Sequence, residues 1–202
     1  MKNENRSTCI NHTVSEINTF EHLPDGHVIK TLVEEHAHIL SMLDELKENS
    51  DQLRNTDLID RERSLKQINH LVVKIISAEP HHQREERVLF PALEDLGITE
   101  PPQCMVMEHE IMRKIKKDLN QMIVKDHFIP KNMIEIQDLV EKLCSILRNH
   151  IQKENTVLFP LALQMIKDDS QWSRMREECD NIGYCCFCPQ TKKEYDQSVL
   201  MA

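Results

Sequence analysis

The chain has 202 residues, of which 29% are charged and 40% hydrophobic, and its formal net charge is −9. This size suits one domain with short tails, and the acidic balance argues against a protein that binds nucleic-acid phosphates. No run of about 18 apolar residues is present, so we expect no membrane span. The polar N-terminus lacks the apolar stretch of a secretory signal, which predicts a cytoplasmic protein whose seven cysteines are reduced thiols.

Only three glycines and long runs of Leu, Ile, Glu, Lys and Met favour helices. Residues 1–23 form a mixed polar N-terminal segment, in which 13–20 could be a short helix or part of a tail. After a break at 24–26 the first helix is predicted over 27–50. Its apolar stripe consists of Ile29, Leu32, Val33, Leu40 and Leu43. His36 falls in this stripe, whereas His38, two residues on, should face away from it.

The second helix is predicted over 61–95, ending near Gly97. Its upstream stripe consists of Ile68, Leu71, Val72 and Ile75. Pro80 lies inside this helix, where it removes a backbone hydrogen bond and should kink the chain.

The third helix is predicted over 102–125, and His109 is in phase with its inner side. That inner side consists of Met105, Met112, Leu119 and Ile123. The fourth helix is predicted over 132–167 with one uninterrupted stripe. This stripe consists of Leu139, Leu143, Ile146, His150, Glu154, Val157 and Leu161.

One string occurs twice, as HHQREERVLFP over 81–91 and as HIQKENTVLFP over 150–160. Each copy places a glutamate four residues after a histidine, giving the pairs His81 with Glu85 and His150 with Glu154. Residues four apart share a helix face, with Cβ atoms about 5–6 Å apart, so each pair offers a nitrogen and a carboxylate to one point. Because a Glu-His dipeptide also precedes each copy, the two halves read as helical hairpins. They predict an all-α, up-down-up-down four-helix bundle over 24–168.

The register of the first copy has an alternative. The upstream stripe of the second helix points to His82 and Glu86, which also stand four apart, whereas the downstream apolar residues point to His81 and Glu85. Aligning the two Leu-Phe-Pro triplets favours His81 and Glu85, with the kink at Pro80 absorbing a slip of one residue. His82 would then lie behind the ligands or be exposed, unless it supplies a fifth nitrogen.

The inward ionisable set predicts a metal site, and its members are His36, His81, Glu85, His109, His150 and Glu154. Six groups exceed the four ligands of a structural zinc, and their nitrogen and oxygen atoms suit two cations, with iron or manganese favoured. Core histidines satisfied by hydrogen bonds are the alternative, but buried carboxylates need compensating charge. The Glu-x-x-His motif of ferritin-like di-metal proteins begins at Glu35 and at Glu79, but it has no counterpart in the second half of the chain. The repeated His-x-x-x-Glu motif is therefore the stronger signal.

The order of a histidine, then HxxxE…LFP, repeated once, resembles the hemerythrin-like HHE cation-binding domain over about 27–167. The resemblance implies a non-haem di-iron centre in a four-helix bundle, with the four histidines as terminal ligands. Glu85 and Glu154 would bridge the irons beside an oxo or hydroxo group. Oxygen-carrying members have a fifth histidine where this chain has Arg113, and the remaining set is similar to the repair-of-iron-centres branch. Cys9 alone does not reproduce the N-terminal cysteine segment of that branch.

These features predict a protein that binds or senses O2 or NO, with an unidentified electron donor or signalling partner. The alternatives are an enzyme that reduces O2 or NO or a repair factor for damaged iron centres in the stress response. An iron-storage bundle is a third hypothesis, which would require a large cage. No catalytic residue is predicted.

Residues 169–202 lie outside the repeat and are predicted to form a short helix over 171–181, ended by Gly183, followed by a cysteine-rich tail. Cys185-x-x-Cys188, with Cys179 and Cys186 nearby, suggests a thiol site such as a metal shuttle, a redox pair or a target of NO. Ordinary packing of the tail on the bundle is the alternative interpretation.

Overall fold

The computed structural model describes residues 20–53, 58–125 and 130–185. The predictions for residues 13–19, and for Cys186 and Cys188, lie outside this range. Within it the regular structure is helical and contains no strand. None of the described helices is long and apolar enough to cross a membrane.

Eight α-helical segments and two π-helical segments follow one another along the described part of the chain. They are α1 Val28–Gln52, α2 Leu58–Ser77, α3 Glu79–Arg84, the first π segment Glu85–Leu89, α4 Phe90–Glu94, α5 Glu100–Lys125, α6 Pro130–Lys153, the second π segment Glu154–Leu158, α7 Phe159–Met165 and α8 Asp169–Ile182. Helix α1 packs against α2 and α6, and α5 packs against the same two helices, so the four long helices close into a ring. The predicted all-α four-helix bundle is confirmed.

Two apolar clusters fill the bundle, one on either side of a polar layer. The first apolar cluster includes Ile39, Leu43, Val72, Met112, Leu143 and Leu147. The second apolar cluster includes Ile29, Val33, Leu89, Phe90, Met105, Leu158 and Phe159. The buried His36 stands between Val33 and Ile39 on α1, at the boundary of the two clusters. The other three predicted histidines occupy the same boundary on their own helices, so the bundle carries a layer of ionisable groups through its middle.

The second long helix differs from the prediction of a continuous helix kinked at Pro80. Helix α2 ends before Ala78, whose φ and ψ of −76° and 4° leave the helical range. Helix α3 then starts at Glu79, which places Pro80 in a first turn. A proline there sacrifices no hydrogen bond, because the first backbone N–H groups of a helix have no partner within it. The helix is therefore interrupted at Ala78, two residues before Pro80, in keeping with the tendency of helices to end before the residue that precedes a proline.

The π segments begin at the two glutamates of the repeat. The backbone N–H of Phe90 donates to the carbonyl of Glu85, and that of Phe159 donates to Glu154, five residues back in each case. The wider turn inserts one residue and rotates everything after it. Val157 is consequently 55% exposed while Leu158 and Phe159 are buried. The predicted uninterrupted stripe through Val157 is wrong for this reason.

This shift in register predicts that two neighbouring substitutions differ strongly in their effect on stability. Leu158→Ala should lower the free energy of unfolding by about 2–5 kcal/mol, because it opens a cavity in the second apolar cluster. Val157→Ala, the matched control on the exposed side, should change it by no more than about 0.5 kcal/mol. Urea unfolding of both variants measures the difference. Equal losses would show that the segment keeps a regular α-helical register.

Helix α8 lies against the bundle beside the first hairpin. The side chain of Asp168 caps its N-terminus by accepting a hydrogen bond from the backbone of Ser170, and the left-handed Gly183, with φ 95°, ends it. The helix packs on α1, α3 and the first π segment. Through these contacts the C-terminal part of the described chain reaches the polar layer.

Candidate metal centre

The six predicted residues meet in the polar layer of the bundle, and all are buried. They form two groups, and within each group the atoms that could bind a metal ion all lie within 4.8 Å of one another. The first group consists of His36, His81, Glu85 and Glu154, and the second of Glu85, His109, His150 and Glu154. Both groups contain the same two glutamates, so the arrangement is two adjoining sites that share two carboxylates.

The histidines of each site face one another through their Nε2 atoms. The Nε2 atoms of His36 and His81 are 3.0 Å apart, and those of His109 and His150 are 2.9 Å apart. Two nitrogens that each lie about 2.1 Å from one ion, at right angles, would be about 3 Å apart. The spacing of the imidazole pairs therefore fits two ions, one between each pair.

Each shared glutamate divides its oxygens between the two sites. Glu154 places Oε2 3.2 Å from His36 Nε2 and Oε1 2.9 Å from His150 Nε2. Glu85 places its two oxygens 3.5 Å from the Nε2 atoms of His81 and His109. All four oxygens are buried, and none makes a hydrogen bond of good geometry within the described part of the chain. Buried carboxylates without such partners are expensive unless cations compensate them, so the donor set fits bound metal.

The outer nitrogens of all four histidines are held by oxygen atoms. Nδ1 lies 2.9 Å from Asn155 Oδ1 in His36, 2.7 Å from Glu35 Oε2 in His81, 2.7 Å from Glu86 Oε1 in His109 and 2.8 Å from Glu108 Oε2 in His150. An acceptor at Nδ1 fixes the proton there and leaves the Nε2 lone pair free to point inward. This second layer of partners is typical of metal-binding histidines.

These outer partners follow a two-fold pattern that sequence reasoning missed. Glu35 and Glu108, each directly before an inward histidine, bind the other histidine of the same hairpin. Glu86 and Asn155, each directly after a shared glutamate, reach the histidine of the opposite hairpin. The repeated Glu-His dipeptide was visible in the sequence as a signal for the first pair. The second pair depends on how the hairpins pack and left no such signal.

Cations hold the outer carboxylates in place. The buried Arg84 donates from Nη2 to Glu35 at 2.5 Å, and Arg113 donates from Nη2 to Glu86 at 2.8 Å. Lys153 pairs with Glu108. Arg113 also binds Glu79 at 2.7 Å, so the residue at the position of a fifth histidine anchors carboxylates around His109.

The electrostatics of the layer favour ionised carboxylates. Burial raises the pKa of Glu35, but His81 and Arg84 outweigh it and bring the value to about 2. Burial lowers the pKa of His81 and His150, but neighbouring carboxylates, chiefly Glu85 and Glu154 respectively, raise the values to about 10 and about 9. The negative charge of the layer therefore attracts cations, either protons on these imidazoles or metal ions in their place.

Comparison with known proteins agrees with this geometry. Residues 27–162 match the family described as hemerythrin HHE cation binding domain. The chain belongs to the hemerythrin HHE family. Its hemerythrin domain is a metal-binding domain that contains all six inward residues, while α8 lies beyond the match. No curated protein matches the chain.

Two further histidines of the hemerythrin domain have contrasting positions. His38 is exposed, as predicted. His82 is buried, and its ring stacks on that of His109 with centroids 3.9 Å apart. Burial, together with the charges of His109 and Lys116, lowers the pKa of His82 well below its usual value. Of the two predicted positions, behind the ligands or exposed, His82 takes the first, and its neutral ring lies behind the second pair of histidines.

The described cysteines give little support to a reactive thiol site. Cys179 and Cys185 are buried, and burial raises the pKa of the Cys179 thiol to about 12 and that of Cys185 far above its usual range. Such thiols stay protonated and are poor nucleophiles. The Sγ atom of Cys185 donates to the carbonyl of Ala78 at 3.5 Å, and Cys179 lies in the second apolar cluster, so packing is the favoured role of both residues. Of the other two described cysteines, Cys104 is exposed and Cys144 is buried.

The outer carboxylates are expected to control metal affinity. Glu108→Ala should weaken metal binding about 10- to 100-fold, because His150 loses the acceptor that fixes its orientation. Glu108 is part-buried at the edge of the site, so the fold should tolerate the change. Glu110→Ala, at an exposed position of the same helix, is the matched control. Competition with a chelator measures the affinity, and equal values for the two variants would contradict the assigned role.

Proposed function

We propose that the hemerythrin domain holds two iron ions and binds O2 or NO at them. His36 and His81 would serve one ion, and His109 and His150 the other, with Glu85 and Glu154 shared. The observation that carries this proposal is the division of each glutamate's two oxygens between two pairs of imidazoles. Nitrogen and carboxylate donors with open positions favour iron, and manganese less so.

Two ferrous ions would supply electrons and an open coordination position to a diatomic ligand. The chain supplies the surroundings that this chemistry needs. Phe159 stacks against His36 with ring centroids 5.5 Å apart, and Phe90 against His109 at 6.0 Å, so aromatic rings cover both sites. The apolar clusters on either side keep water away, and the acceptors at Nδ1 hold each imidazole in the tautomer that presents its Nε2 lone pair.

An enzyme that reduces O2 or NO, or a factor that repairs damaged iron centres, is the alternative use of the same residues. The observation that favours it is the set of four histidines and two glutamates, with Arg113 in place of a fifth histidine. Either alternative needs an electron donor or a signalling partner. The difference between a carrier and an enzyme is whether the centre turns over.

Metal analysis of protein purified without oxygen tests the proposal. We expect about two irons per chain and, after oxygen is admitted, the optical bands of bridged ferric ions. One zinc per chain would contradict it. Mixing the reduced protein with O2 or NO under a supply of reductant then separates the alternatives. Uptake of a single equivalent supports a carrier or sensor, and sustained consumption supports the enzyme.

A further inference from the structure

The two pairs of histidines differ in the side chains that lie next to them. Aligning the repeated strings pairs His82 with Ile151, and aligning the two Glu-His dipeptides pairs Lys116 with Leu43. All four side chains are buried. The pair His109 and His150 therefore has a nitrogen-bearing side chain beside it where the pair His36 and His81 has an apolar one.

His82 lies close enough to take part in events at this half. One of its ring nitrogens lies within 4.8 Å of a ring nitrogen of His109 and of a ring nitrogen of His150. The ring is 5% exposed, and its Nδ1 atom has no hydrogen-bond partner within the described part of the chain. The nearest carboxylate oxygen, on Glu79, is 3.8 Å from that nitrogen, which is beyond hydrogen-bond distance. A buried imidazole nitrogen without a partner is costly in a structure that serves no ligand.

The stacking of His82 on His109 argues against its binding the same ion. The two ring planes are 17° apart with centroids at 3.9 Å, so the rings overlap face to face. A nitrogen lone pair lies in the plane of its ring, and an ion in the plane of His109 lies outside the plane of His82. The ring of His82 is separated from the ion by the thickness of the His109 ring. A group at that distance can contact a ligand bound to the ion without binding the ion itself.

We propose that His82 donates a hydrogen bond to a small ligand that binds on the His109 and His150 side of the centre. The ligand class is a diatomic molecule or a small anion with a hydrogen-bond acceptor. This inference rests on the proposed function, and it adds which half of the centre takes the ligand. Ile151 offers no hydrogen bond at the corresponding place in the other half, so the ligand is expected on one side only.

Azide binding to the full-length ferric protein tests the role of His82. His82→Phe keeps an aromatic ring on His109 but removes the donor, and should weaken azide binding about 10-fold or more. Iron content and the optical spectrum without azide should remain those of the wild type. His82→Gln, which retains an N–H donor, should recover most of the affinity. His38→Phe, at an exposed position of α1, is the control for a histidine lost elsewhere.

Each other outcome overturns the inference. Equal azide affinity in His82→Phe, His82→Gln and the wild type would show that His82 makes no such contact. Loss of iron, or a changed spectrum before azide is added, in both His82 variants would show that His82 binds the ion itself. A wild-type protein that takes up iron but no azide would also exclude the contact. A wild-type protein that takes up no iron would refute the proposed function as well.

Discussion

Glu154→Gln is expected to reduce bound iron from about two to less than one per chain, with loss of the bridged ferric bands. Glu154 places one oxygen in each half of the centre, so one substitution removes a ligand from both ions. The amide has nearly the same size, but it carries no charge and presents N–H donors where a lone pair is needed. The apolar clusters remain filled, and the metal-free variant should therefore stay folded.

Metal analysis after reconstitution with ferrous iron measures the loss. Glu141→Gln provides a matched control, since Glu141 lies on α6, the helix that leads into the π segment of Glu154, with its side chain exposed, and should leave two irons bound. Circular dichroism of both variants without metal separates a binding defect from a folding defect. Two irons retained by folded Glu154→Gln would refute the role of Glu154 as a shared ligand.

Removing the metal is expected to change how stability depends on pH. In the metal-free protein His81 and His150 have pKa values of about 10 and about 9, above the ordinary value of 6.5. Groups with raised pKa stabilise the fold fully below the unfolded value and lose this contribution as pH rises through the folded value. The free energy of unfolding should therefore fall between about pH 6.5 and about pH 10.

At acidic pH the free energy of unfolding should change in the opposite direction, falling as pH falls. Glu35 has its pKa lowered from 4.5 to about 2, so its contribution is present above the unfolded value and is lost as pH falls toward the folded one. The buried His82 also has its pKa lowered, so its contribution is lost as pH falls below its unfolded value of 6.5. The metal-free protein should accordingly be most stable near pH 6.5 and lose stability on either side of it.

The loaded protein should not show the alkaline decline, because the metal ions occupy the positions of the protons and bind more tightly as pH rises. Urea unfolding of metal-free and loaded protein at about pH 6 and about pH 9 measures both effects. The gap between the two forms should widen at the higher pH. A metal-free protein that is equally stable at both values would contradict the charge arrangement of the polar layer.

The repeated string was enough to predict His81, Glu85, His150 and Glu154, because residues four apart on a helix must share a face. His36 and His109 followed from the apolar stripes of their own helices, and the two halves together predicted the bundle. The comparison and the structure bear out the fold, and the structure brings the six residues together. The assignment of these six as iron ligands stays a prediction for metal analysis to test. The choice of His81 and Glu85 over His82 and Glu86 depended on aligning the two copies, since the apolar stripe upstream favoured the other register.

The backbone changes near the site were beyond sequence reasoning. Apolar periodicity assumes one turn length throughout, and a π turn at Glu154 alters that length in a way that only burial of Leu158 and exposure of Val157 reveal. The break at Ala78 was likewise hidden, because Pro80 suggested a kink inside a helix rather than the first turn of a new one. Partners such as Asn155 depend on the packing of one hairpin against the other, which no local pattern encodes.

Contacts from the end of the described chain have a practical consequence for protein engineering. The ring of Tyr184 lies 4.7 Å from the guanidinium carbon of Arg84, and Arg84 holds the carboxylate that orients His81. Tyr184 stands 22 residues past the end of the family match at 162. An expression fragment that ends at that boundary would lack Tyr184 and expose Arg84 to water. The ion pair of Arg84 with Glu35 would weaken, and His81 would be held less firmly. Biochemical comparisons should for this reason retain at least α8 and the residues through Cys185.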